Sequence, residues 1–136
     1  MNKKGFTLVE LLAVVVIIAI LASLAVPNII SMTTRAKNEQ FITDAKQIIA
    51  KAKYAYKNGK FESSNTISLG DLEISLNKSP FGEDYDDGKS VIKVDIEEGN
   101  LIFSIYLTDN KYQIGKSEAE PVAETKLTND VVNKCS

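Results

Sequence analysis

Charge disappears from the chain between Glu10 and Arg35. The run between them, LLAVVVIIAILASLAVPNIISMTT, is roughly 24 residues long and would form a helix of about 36 Å, against a membrane hydrocarbon core of about 30 Å. A membrane-spanning helix is therefore predicted over residues 11–34. The apolar positions then become periodic. Phe41, Ala45, Ile48, Ala52 and Ala55 recur at steps of three and four, flanked by Ile42, Ile49 and Tyr56, while Lys37, Glu39, Asp44, Lys46, Lys51 and Lys57 fall mainly on the other side. That is the pattern of a helix with one packing face. Asn58 and Gly59 supply its stop, because glycine readily takes the left-handed conformation that ends helices. One helix from Phe6 to Asn58, roughly 80 Å long, is expected. Its first half has no domain to lie on and must be buried in lipid or in other copies of itself.

The pattern changes again after the helix. Residues 60–89 are rich in Ser, Asn, Gly and Asp and read as a long connection, with a short extended piece at Leu72, Ile74 and Leu76. Ile92, Val94 and Ile96 then alternate with Lys93 and Asp95, and Leu101, Phe103, Ile105 and Leu107 form a second alternating set, with Gly99 and Asn100 as the turn between them. Such alternation predicts an antiparallel hairpin. A third strand over residues 112–116 follows a turn at Asp109 and Asn110. The apolar face of this meander can cover the stripe from Phe41 to Tyr56, which makes the chain α+β: a long N-terminal helix, half of it membrane-spanning and half amphipathic, packed on a small antiparallel sheet. Residues 117–136 are polar and weakly patterned and predict no element.

The residues ahead of the apolar run decide its purpose. Lys3 and Lys4 hold the N-terminus on the cytoplasmic side, and Gly5, Phe6, Thr7, Leu8, Val9 and Glu10 follow. A secretory signal peptide also has a basic start and an apolar core ending in small residues, and Ser23, Leu24 and Ala25 would serve as its cleavage site. An ordinary single-span anchor would explain the length and the basic flank. Neither gives a reason for Gly5, or for Glu10, a carboxylate at the lip of an apolar run where charge is expensive and usually functional. The stretch from Gly5 to Glu10, with two lysines before it and the apolar run after it, resembles the processing signal of type IV pilins and their pseudopilin relatives. The resemblance covers about the first 58 residues, and Pro27 stands where pilin helices carry a proline.

That resemblance implies a cytoplasmic-side cut after Gly5 by a prepilin peptidase and N-methylation of Phe6. The chain would then comprise a leader at 1–5, a hydrophobic transmembrane and filament-core helix at 6–34, and a globular pilin domain at 35–136. The implied function is a structural subunit of a type IV pilus filament, for adhesion, motility or surface interaction. Its implied partners are copies of itself, the peptidase, the pilus assembly machinery and, before assembly, membrane lipid. It would sit in the cell membrane first and in an extracellular pilus afterwards. A pseudopilin or competence pilin is the nearest alternative. A monomeric membrane-anchored binding domain, with contacts in residues 60–89, is the alternative from another class.

The mechanism expected of such a subunit follows from the bare helix. Outside the membrane only equivalent helices can replace lipid around residues 11–30, and Ala13, Ala19, Ala22, Ser23 and Ala25 allow them to approach closely. Pro27 removes the hydrogen bond to the carbonyl of Ser23, and by analogy with assembled pilins residues 19–27 are expected to be extended in the filament. Phe6, Glu10 and Pro27 are thus the candidate assembly residues, with the Phe6 amine meeting Glu10 of its own or a neighbouring subunit.

Composition narrows the remaining possibilities. The formal net charge of the 136-residue chain is −2, and loss of Lys3 and Lys4 with a leader lowers it by two, to −4. An acidic exterior argues against nucleic acid as the main partner. Cys135, the one cysteine, cannot close an intrachain disulfide, so the domain would be held by its core alone, as in Gram-positive relatives of the pilins. No histidine is present to activate a thiol or hydroxyl, and neither a catalytic residue nor a cofactor is expected. Asp84, Asp86 and Asp87 around Tyr85 and Gly88 offer oxygen ligands suited to calcium, but their spacing fits a solvated turn. Ser79, Pro80, Phe81 and Gly82 resemble the turn that precedes the sheet in many pilins, with Phe81 as a plug on the core.

Overall fold

The computed structural model describes residues 7–61 and 64–135, without the side chains at 25–28 and 30. One helix, α1 (Leu8–Lys57), is followed by six strands: β1 (Thr66–Ser68), β2 (Val91–Glu97), β3 (Asn100–Thr108), β4 (Tyr112–Ile114), β5 (Val122–Ala123) and β6 (Val132–Lys134). The chain divides into two compact units, Met1–Arg35 and Ala36–Ser136. The expected helix is thus present, although Phe6 lies outside the described residues. Its C-terminus is built as the sequence suggests. Gly59 has a φ of 75°, the Lys60 N–H donates to the Ala55 carbonyl at 2.9 Å and the Gly59 N–H to the Tyr56 carbonyl at 3.1 Å, which is the Schellman arrangement.

In the second unit the sheet runs in the order β1-β2-β3-β4-β6, with β5 pairing β3 beside it, and every pairing is antiparallel. The helical stripe covers the sheet's apolar face. Phe41, Ala45, Ile48, Ile49 and Ala52 are fully buried, together with Ile92, Ile105, Leu107 and Ile114. Aromatic side chains close both ends of this layer: Phe41 meets Tyr85 edge-on at 5.3 Å, and Tyr56 meets Phe103 edge-on at 6.0 Å. The Tyr85 hydroxyl donates to Asp44 on α1. Burial, and then that carboxylate, push the Tyr85 hydroxyl's pKa well above its ordinary value.

Several expectations are corrected. Leu72, Ile74 and Leu76 form no strand: residues 70–72 make a 3-10 turn and Glu73 takes a left-handed φ of 52°. Leu72 is buried there, while the strand of this connection is β1, a few residues earlier. The hairpin loop is Glu98 and Gly99, with φ of 51° and 81°, and Asn100 already pairs with Glu97. Two positive φ values in a two-residue loop match the twist of the flanking strands. Ile96 and Leu101 are 69% and 45% exposed, although both lie on the face assigned to the core. They pair with each other beyond Phe103, the last residue of that face that Tyr56 covers before α1 ends. The third strand stops at Ile114 rather than 116, and the stretch that predicted no element supplies β5 and β6.

The loops that the sequence singled out are tied by aspartate side chains, one of them buried. Asp109, almost fully buried, accepts the Ser79 hydroxyl and the backbone N–H groups of Lys111 and Tyr112. It thereby locks the turn at 79–82 to the β3–β4 loop. Phe81 stacks on Tyr112 at 3.7 Å between centroids and touches Phe41 at 6.0 Å, the plug position expected of it. Asp86 accepts the Gly88 and Lys89 N–H groups and the Asn110 amide. These bonds hold its carboxyl below the usual carboxylate range. Among the described residues no group of three or more acidic, Cys or His side chains is placed to hold a metal ion.

This core sets a contrast between two positions. Ile49→Asp buries an unpaired charge and is expected to cost several kcal/mol, most of the stability of a domain this size. Ile96→Ser removes an exposed side chain and is expected to stay within about 0.5 kcal/mol. Urea unfolding of a fragment beginning near Asn28 measures both, and equal losses would mean that the sheet face is covered differently.

Candidate assembly surface

The helix of the first unit is apolar and bare. Every side chain described from Thr7 to Leu24, with Ile29 and residues 31–35, is exposed, and the large ones include Leu8 at 82% and Leu24 at 69%. No single face is polar along 11–24, so no orientation on a sheet could bury this surface. Transfer from water is worth about 1.5–3 kcal/mol for a fully buried large apolar side chain. The fourteen exposed Leu, Ile, Val and Met residues among the described residues of this unit would, even at half that value, contribute on the order of 10–20 kcal/mol. That is comparable to the whole stability of a small domain.

Two hydroxyls of this segment are satisfied within the helix. Ser23 Oγ donates to the Ile20 carbonyl at 2.7 Å and Thr33 Oγ1 to the Ile29 carbonyl at 2.8 Å. Such back-bonding lets serine and threonine enter apolar surroundings without a bare donor. Among the described residues no helix is long and apolar enough to cross a membrane; five positions of the uncharged run fall outside the described side chains.

The helix starts on a reciprocal pair. The Glu10 N–H donates to Thr7 Oγ1 at 3.2 Å, and the Thr7 N–H donates to Glu10 Oε2 at 3.3 Å. This is a capping box, in which the N-cap hydroxyl and the carboxylate three residues later satisfy each other's orphan donors. Glu10 therefore has a partner at Thr7, a residue not among the candidate assembly residues, although the Thr-x-x-Glu spacing ahead of an apolar run was legible in the sequence. Its negative charge also suits the positive end of the helix dipole. Only one of its carboxylate oxygens is used in this way among the described residues.

The other candidates are less fully placed. Gly5 and Phe6 lie outside the described residues, as does the side chain of Pro27. The backbone at 19–27 is helical in the single chain. Ala13, Ala19, Ala22 and Ser23 are exposed on that helix, and Ala25 has no described side chain. Glu10 is thus the one candidate assembly residue whose side chain has a defined environment.

Residues 1–26 match the family model described as the prokaryotic N-terminal methylation motif. The type IV wide pilus major component PilA4 of Thermus thermophilus is 39% identical over 74 residues, which cover 51% of this chain and 55% of that protein. A fimbrial protein of Pseudomonas aeruginosa is 29% identical over an alignment of 144 residues, covering 98% of this chain and 84% of that one. The type II secretion system core protein G of Klebsiella pneumoniae is 29% identical over 88 residues, covering 64% of this chain and 62% of its own. The chain thus spans about half the length of the Thermus relative and most of the Pseudomonas one. No solved structure is similar to the chain at a significant level.

The capping box makes a local expectation. Thr7→Ala should weaken the first turn by about 1 kcal/mol, read as faster amide hydrogen exchange at Glu10 by about fivefold in detergent micelles, with no change at Ile48. Unchanged exchange at Glu10 would mean that its N–H is held by something other than Thr7.

Proposed function

We infer from the methylation motif and the pilin relatives that this chain is a type IV pilin-family protein, and propose that it is a structural subunit of a type IV pilus. The single observation that carries the reading is the exposed, uncharged helix into which that motif extends. Such a surface has two ways out of water: a bilayer, or a bundle of identical helices. A pilus subunit uses them in turn. In the proposed layout 1–5 is a leader removed by the prepilin peptidase, 6–34 enters the membrane and then the filament core, and 35–136 remains in water. Phe6 becomes the methylated N-terminus. The proposed route runs from the cell membrane to an extracellular fibre, through the assembly machinery, with copies of the chain as the lasting partners. No catalytic role is assigned to any residue.

Charge gives the assembly its register. A cut after Gly5 frees an amine next to Thr7, and the second oxygen of Glu10 can take the amine of a neighbouring Phe6 while the first still caps the helix. Opposite charges attract far more strongly in apolar surroundings than in water, and an unpaired one there is heavily penalised. A uniformly apolar helix could slide by a turn at little cost; one carrying this pair could not. Pro27 leaves the Ser23 carbonyl without its donor, so 19–27 is the proposed place for the helix to extend on assembly. A pseudopilin would use the same physics, and the similarity to core protein G supports that reading no better than the pilin one.

The test uses native cells. Intact mass of the surface protein should give a chain that begins at Phe6 and carries one methyl group, and Gly5→Val should block that maturation. Glu10→Val is expected to leave the helix inserted in the membrane while surface fibres disappear. A mature chain that begins at Met1 or Val26, or normal fibres from Glu10→Val, would contradict the reading.

A further inference from the structure

The second unit carries two surfaces that its own fold leaves unused. One is the tip of the β2–β3 hairpin, where Ile96 and Leu101 stand exposed as a cross-strand pair. Glu97 and Glu98 beside them have no cationic partner among the described residues; Asp95, below them, faces Lys93 at 3.9 Å. The tip is therefore apolar and acidic together. In this unit the one other large exposed hydrophobic side chain among the described residues is Tyr54, on the helix.

The other surface is a cleft of about 510 Å³ lined by the stacked rings of Phe81 and Tyr112, with Lys37, Lys111, Lys134 and Cys135 around them and Asn110 alongside. Lys111 pairs with Glu83 at 3.0 Å. Lys37 lies over the Phe81 ring at 5.9 Å, and neither it nor Lys134 has a carboxylate partner among the described residues. The cleft is thus aromatic and basic, the chemical complement of the tip.

Their positions forbid a contact within one molecule. The tip is the start of β3 and the cleft adjoins its end, and a nine-residue strand spans about 30 Å. The cleft also lies where α1 enters this unit, beside Phe41, and the tip where α1 leaves it, beyond Tyr56 and Phe103. A surface and its complement at opposite ends of one body make a heterologous contact, which generates an open chain of subunits rather than a closed dimer. We propose that the β2–β3 tip of one copy seats in the Phe81–Tyr112 cleft of the next, Ile96 and Leu101 against the rings and Glu97 and Glu98 against Lys37 and Lys134. This rests on the filament reading and adds to it a second contact, between the water-exposed domains.

Cys135 allows a direct test, because it lines the cleft. In cells expressing full-length Glu97→Cys, copper–phenanthroline oxidation of sheared surface fibres should give a ladder of disulfide-linked multimers on a non-reducing gel. The ladder should vanish in Glu97→Cys/Cys135→Ser and on reduction. Independently, Glu97→Lys or Lys134→Glu alone should lower fibre number at least about tenfold, and the pair together should restore it. Fibres without a ladder, or charge reversals that do not rescue each other, would overturn the contact and leave the filament reading standing. Absence of fibres from the unaltered chain would overturn the filament reading itself.

Discussion

A helix that is apolar on every side cannot be satisfied by the chain that carries it. In the unit at 36–136 the apolar face of the helix finds a complement: the stripe from Phe41 to Ala55 lies on Ile92, Ile105 and Leu107, and water is excluded between them. The first unit has no such complement, and its exposed Leu, Ile and Val side chains leave a hydrophobic debt as large as the stability of the domain. Where that surface goes governs the rest: on the proposed reading a bilayer would hold a single copy, and water outside the cell would force copies together. The fold of the second unit then has to be stable by itself and to present its hairpin tip and its cleft to neighbouring copies.

Polar groups in this setting supply direction rather than strength. Thr7 and Glu10 begin the helix by satisfying each other, so the carboxylate at the edge of the apolar run is already part of the backbone's hydrogen bonding before any neighbour arrives. Ser23 and Thr33 close on their own helix. The same economy recurs in the domain, where buried Asp109 gathers Ser79 and two backbone N–H groups and fixes the loops that carry Phe81 and Tyr112. The cleft that those stacked rings line owes its shape to that carboxylate.

Periodicity made the helix, the hairpin and most of the core legible in the sequence. The misses have physical reasons. Ile96 and Leu101 follow the alternation faithfully, but alternation says which face a residue is on and not where the covering helix ends. β1, β5 and β6 are two or three residues long, too short for any alternation, and exist because β2, β3 and β4 offer them edges. Leu72 is buried from a turn rather than a strand, since a loop needs apolar anchors as much as a sheet does. At the candidate assembly surface the uncharged run and Glu10 stand out from the chain alone, and the spacing of Thr7 to Glu10 is an equally local signal, that of a capping box. The acidic tip and the basic cleft could not be read in advance, because the cleft joins residues from 37 to 135 that only the fold brings together.

On the proposed reading this helix leaves water by joining copies of itself. Cryo-electron microscopy of fibres sheared from cells expressing the chain tests it most directly. Residues 8–24 are expected in a dry central bundle, each helix surrounded by the same segment of its neighbours, with the domains outside. Fibres whose axis is built from the β-sheets, or from another protein with this chain attached at the surface, would contradict it.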